Sequence, residues 1–252
     1  MSKNELANQE NNEMMTYNTT GLGLDDSDND DSTLAYLKVV QALSKEVESL
    51  ELPVGSIIHG TTKQVLAKKE QPFDFIPILS FRDWSIWEGV GQTSKLIKRT
   101  FDKHGTWSDG SECLPEEFEW KGRTKPLARE CLNFVIIPAP ISAGIPPAIM
   151  SFKSTDLKTG NAFKNVARGL SLSEKCPLFG FVFQTKTKGT TNQRGSWYIY
   201  DVVKKNRSTD EEERKFAFEI FKRIKEVGIQ TLIPVGFTDD DDASVDIENS
   251  KY

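Results

Sequence analysis

Histidine and cysteine are scarce in this chain, and long apolar runs are missing. Its 252 residues include only His59 and His104, with Cys113, Cys131 and Cys176. Neither histidine sits in a nucleophile or metal motif. No Cys-x-x-Cys pair accompanies them, so His104, Cys113 and Cys131 make a poor zinc set. Three widely spaced cysteines offer no disulfide framework and suit reduced thiols. No Gly-rich phosphate loop or dinucleotide fingerprint is present. No run of about 18 apolar residues exists, which excludes a spanning helix. Met1-Ser2-Lys3-Asn4-Glu5 lacks the apolar core of a secretory signal. The expectation is a cytoplasmic, non-enzymatic protein with no cofactor and no metal.

Charge is abundant but unevenly placed. The net charge of −5 conceals three blocks. Residues 1–33 hold eight carboxylates against Lys3, a net −7. Residues 237–252 hold Asp239, Asp240, Asp241, Asp242, Asp246 and Glu248 against Lys251, a net −5. The remaining 34–236 therefore carry +7. A basic body attracts polyanions, whereas blocks of like charge behave as disordered interaction tails. Such tails also serve plain solubility, the simpler account of them. Three regions follow: an acidic N-terminal tail over 1–33, one domain over 34–236, and an acidic C-terminal tail over 237–252.

Within the domain the patterning predicts mostly strands and two or three helices. Residues 54–60 and 63–67 read as a hairpin. In 73–87, Phe73, Phe75, Leu79 and Phe81 recur at spacing two while Ile76 and Ile78 occupy the other face, and Pro77 implies a bulge or an edge. Residues 89–130 form a polar excursion too long for an ordinary connection. Strands resume over 133–137, 148–152, 178–186 and 197–203, with Phe179, Phe181 and Phe183 placed on one side. A helix fits 155–171 with Thr155 as N-cap. A second fits 209–227, with Ser208 and Glu211 as a capping box. The expected fold is an elaborated, five-stranded OB-like barrel.

Aromatics interleaved with cations are the best functional signal. Phe81-Arg82-Asp83-Trp84-Ser85-Ile86-Trp87 places two indoles near a guanidinium. A basic loop over 186–195 leads into Trp197-Tyr198-Ile199-Tyr200. Exposed rings stack on bases of any sequence, at about 1–3 kcal/mol per base, and nearby cations add a salt-sensitive phosphate term. Core packing competes for every such ring, since alternation turns one of each pair inward. On this reasoning Trp84, Trp87, Tyr198 and Tyr200 are expected to stack. Arg82, Lys153, Lys186, Lys188, Arg194 and Lys204 are expected to contact phosphates.

Basic aromatic strands ahead of an acidic terminus resemble the single-stranded DNA-binding proteins of tailed bacteriophages. The strings Tyr36-Leu37-Lys38-Val39-Val40-Gln41, Phe75-Ile76-Pro77 to Trp84, and Ser151-Phe152-Lys153-Ser154-Thr155 also look like those of phage replication-region proteins. The resemblance implies an OB-fold, single-stranded DNA as ligand, and a tail that docks DNA polymerase, helicase or recombination proteins. Asp239 to Asp242 and Tyr252 would be the docking residues, although Ser250 and Lys251 separate the aromatic from the acids. Two rivals stand beside this: a phage interaction or virion factor, and a metal-dependent nuclease built around Glu116, Glu117 and Glu119.

Overall fold

The computed structural model describes residues 33–88, 95–192 and 195–233. The acidic tails, apart from Thr33, lie outside them. The described residues form strands β1 (Ala35–Val39), β2 (Ile57–His59), β3 (Val65–Ala67), β4 (Phe73–Glu88), β5 (Lys95–Thr100), β6 (Arg129–Ala139), β7 (Ala148–Lys153), β8 (Phe181–Asn192) and β9 (Gly195–Ser208). Four helices accompany them: α1 (Glu46–Ser49), α2 (Pro115–Phe118), α3 (Leu157–Ser173) and α4 (Glu211–Val227). Among the described residues no helix is long and apolar enough to cross a membrane.

The mostly-β class holds. The sheet has nine strands where five were expected, in the order β3-β2-β1-β7-β6-β4-β8-β9, with β5 also on β4. The additional strands are short. β1 has five residues and β5 six, too few for alternation to separate them from loops, while β2 and β3 form the hairpin expected over 54–60 and 63–67. β5 and α2 both arise within the excursion expected at 89–130.

The sheet curls until its distant members touch. β1 and β9 are far apart in strand order, yet the Tyr200 hydroxyl on β9 donates to the Leu37 carbonyl on β1 at 3.0 Å. The Gln41 carboxamide, just past β1, bonds both backbone groups of Tyr198. On β8, the Thr187 hydroxyl donates to the Gly55 carbonyl at 2.6 Å. Side chains thus close what the backbone ladder leaves open.

The concave face holds the main core. Phe75, Phe134, Phe152, Phe181, Phe183 and Tyr200 line it, and α3 inserts Phe163 and Ala167 among them. The Phe163 ring lies 4.6 Å from Phe134, 5.0 Å from Phe183 and 5.8 Å from Phe75. Each such aromatic pair contributes about 0.5–1.5 kcal/mol beyond its buried area. The convex face packs Ile76, Ile78, Val135, Ile137 and Val182 under Ala217 and Ile224 of α4. A third cluster joins Trp107, Cys113 and Ala128 to Trp84, Ile86 and Phe118 beneath the excursion.

Four expectations move. A register shift between Pro77 and Leu79 places the bulge where Pro77 predicted one. The extra residue reverses facing, so Leu79 and Phe81 join Ile76 and Ile78 on the convex side while Phe73 and Phe75 stay concave. Phe179 lies in a 3-10 turn before β8 and packs on the convex side, away from Phe181 and Phe183. Helix α3 starts at Leu157 after a 3-10 turn over Ser154–Asp156, and Thr155 does not cap it. The capping box of α4 is Asp210 with Glu213, two residues later than expected.

Candidate nucleic-acid interface

β8 and β9 form a hairpin that outruns the rest of the sheet. Phe183, Gln184 and Thr185 pair with Phe75, Asp74 and Phe73, so from Lys186 onward the hairpin projects past the start of β4. Directly opposed residues of an antiparallel pair share a face. Lys186 opposes Asp201, Lys188 opposes Ile199, and Thr190 opposes Trp197, all on the convex side. Trp197 is thereby a diagonal neighbour of Lys188, within reach of a long side chain. Lys188 is exposed, and Lys186 and Trp197 are half-buried.

The other parity points inward. Tyr198 opposes Gly189 and Tyr200 opposes Thr187. Tyr200 is buried, with its ring 5.7 Å from Phe152, so it is a core residue with no free face for a base. Tyr198 is half-buried. A Cβ on Gly55 would fall 2.9 Å from its ring, and the Lys69 ammonium stands 5.4 Å above that ring. A side-chain hydrogen bond to Tyr198 holds Lys69 above its usual pKa.

The remaining expected residues stand elsewhere. Trp84 lies eleven residues along β4 from Phe73, and Gly189 lies four residues the opposite way from Thr185. At about 3.3 Å per residue, Trp84 and Tyr198 are roughly 50 Å apart measured along the strands. Trp84 packs edge-on to Phe118 at 6.2 Å. The Trp87 indole N–H donates to the Ser85 hydroxyl at 2.8 Å. Arg82 is ion-paired with Glu130 and donates to Asn161 of α3 at 2.7 Å. Lys153 opposes Cys131 and is half-buried. Neither the two tryptophans nor these two cations join the hairpin. Arg194, Asp239 to Asp242, Tyr252 and the Lys204 side chain lie outside the described residues.

Two polar knots brace the far end. Arg99 Nε stands 3.0 Å from the buried Asp83 carboxylate, to which Asn133 Nδ2 donates at 2.6 Å. Burial pushes the Asp83 carboxyl up, while Arg99 and Asn133 pull against it. Glu117 accepts from the Trp107 indole at 2.8 Å, the Leu114 N–H at 3.0 Å and Lys98 at 3.0 Å. Burial alone would raise Glu117, but those donors hold it below its usual range. Glu117 is thus a bracing residue of the excursion. Among the described residues no three His, Cys, Asp or Glu side chains gather as a metal site.

Sequence reasoning missed Trp197 and Lys69. The signal for Trp197 was hairpin register: Asn192 stands opposite Gly195, which sets Trp197 beside Lys188. Lys69 gave no local signal, because its neighbour is distant in sequence.

These features define a mostly-β protein with a helix-filled half-barrel and a projecting cationic hairpin. A family model described as Pam3 phage gp34-like protein matches residues 3–230, and the chain belongs to that bacteriophage family. No curated protein and no solved structure matches it.

Proposed function

We propose that the protein binds single-stranded DNA without reading its sequence, coating strands exposed during phage replication or recombination. The observation that carries this reading is the shared outer face of Lys186, Lys188 and Trp197 on a hairpin that projects from the sheet. Lysines there would meet phosphates while the indole offers a face to a base. The +7 charge of residues 34–236 supplies the long-range attraction.

In this reading the curled sheet acts as an elaborated OB-like platform. Binding is passive, with no bond made or broken. The anionic stretch Asp239 to Asp242 competes with DNA for the cations and presents a docking point for polymerase, helicase or recombination proteins.

Titration with oligo(dT), followed by tryptophan fluorescence at two salt concentrations, tests the proposal. Quenching is expected, with an affinity that falls as salt rises by about 0.7 log units per phosphate contacted and per tenfold salt. Fluorescence that does not respond, or magnesium-dependent cleavage of the oligonucleotide, overturns it.

A further inference from the structure

The tryptophans differ sharply in exposure. Among the described residues Trp107 is buried and Trp84, Trp87 and Trp197 are half-buried, whereas Trp120 is 62% exposed. Trp120 directly precedes a tight turn. Lys121 N–H donates to the Thr124 carbonyl at 3.1 Å and Thr124 N–H to the Lys121 carbonyl at 3.0 Å. Gly122 takes the left-handed conformation at φ 63°, which a two-residue hairpin turn requires. Lys121, Arg123 and Lys125 are all exposed around that turn. With Arg129 against Glu119, residues 119–129 carry a net +3.

The base beneath this turn is held by hydrogen bonds and ring packing. Ala128 N–H donates to the Glu117 carbonyl at 2.8 Å, and the Glu117 side chain is fixed by Trp107, Leu114 and Lys98. Phe118 stacks on Trp107 at 5.3 Å, nearly parallel. A solvent-facing indole next to a turn that carries three exposed cations complements a polyanion that also carries flat rings. An acidic protein surface matches only the charge. A pre-organised contact also loses little entropy on binding.

We infer that Trp120 stacks on a nucleobase of a single strand while Lys121, Arg123 and Lys125 hold the flanking phosphates, a contact separate from the β8–β9 hairpin. The inference rests on the proposed function and names a second contact for the same ligand.

The test uses the full chain and labelled oligo(dT), comparing wild type with W120A, W120F and the K121Q/R123Q/K125Q triple variant. W120A is expected to weaken binding about fivefold or more, the equivalent of about 1 kcal/mol per stacked base. W120F should recover most of it. The triple variant should reduce the salt slope by about 2, at roughly 0.7 per phosphate. Circular dichroism and melting should match wild type, because these side chains are exposed. If wild type binds and W120A or the triple variant behaves identically, this contact is wrong and the broader reading survives. If wild type itself does not bind, both fall.

Discussion

The side chain of Gln41 does for Tyr198 what a neighbouring strand would do. Its Oε1 accepts the Tyr198 N–H at 2.9 Å and its Nε2 donates to the Tyr198 carbonyl at 2.8 Å. One carboxamide therefore reproduces a rung of ladder between β1 and β9, at a point where the sheet has curled round but not closed. Gln41 is itself buried, so neither bond competes freely with water.

The variant Q41A leaves both Tyr198 groups without this partner. At about 0.5–1.5 kcal/mol per bond, a loss of about 1–3 kcal/mol is expected, read as a lower urea midpoint. An unchanged midpoint would show that the curl is held by the core alone.

Tyr200 and Trp197 lie three positions apart on β9 and have opposite expected effects. The Tyr200 hydroxyl donates to Leu37 inside the core. Y200F should cost about 1 kcal/mol of stability and leave oligonucleotide affinity as it is. W197A should do the reverse, weakening binding by about 1–3 kcal/mol with little change in melting. Binding lost in Y200F but not in W197A would show that the parity of β9 has been assigned the wrong way round.

That parity explains what the sequence could and could not reveal. Alternation made β4 visible, and Pro77 marked its bulge, but counting straight through the bulge put Leu79 and Phe81 on the wrong face. Glu211 and Ser208 suggested a cap because Ser-x-x-Glu is a local pattern, yet Asp210 and Glu213 form the cap two residues on, where Glu213 also accepts from Arg207. The aromatic richness of 197–200 was evident. Which ring points outward depends on the register of β9 against β8, which only the paired strand supplies. The partners of Arg82 lie on β6 and α3, beyond any local window.

Two glycines on one helix test the packing of α3 against the sheet. A Cβ on Gly160 would fall 2.6 Å from the Phe152 ring, whereas one on Gly169 meets nothing within 4 Å. Alanine favours a helix over glycine by about 1 kcal/mol at either site. G169A should therefore raise the melting temperature, consistent with a gain of about 0.5–1 kcal/mol. G160A should lower it, since overpacking costs about 1–3 kcal/mol and outweighs propensity. Equal shifts would mean that α3 does not lie against Phe152.

Glu213 joins the start of α4 to the end of β9, and its charge should be readable in the pH dependence of stability. Its carboxylate accepts from Arg207 and from the Asp210 N–H at 3.1 Å, while the Glu213 N–H donates to Asp210 at 2.8 Å. The Arg207 hydrogen bond, helped by the Asp210 N–H, holds the Glu213 carboxyl below its ordinary value of 4.5 despite burial. A group whose pKa is depressed on folding contributes its stability in full above the unfolded value. That contribution disappears as pH falls through the lower, folded value. E213Q has no carboxylate to protonate, so it should be less stable than wild type at neutral pH by about 1–3 kcal/mol. The gap should narrow steadily on acidification below about pH 4.5, as wild type protonates. Urea midpoints at neutral pH and at several acid pH values measure it. A gap independent of pH would show that the Glu213 charge is not what fastens α4 to the hairpin.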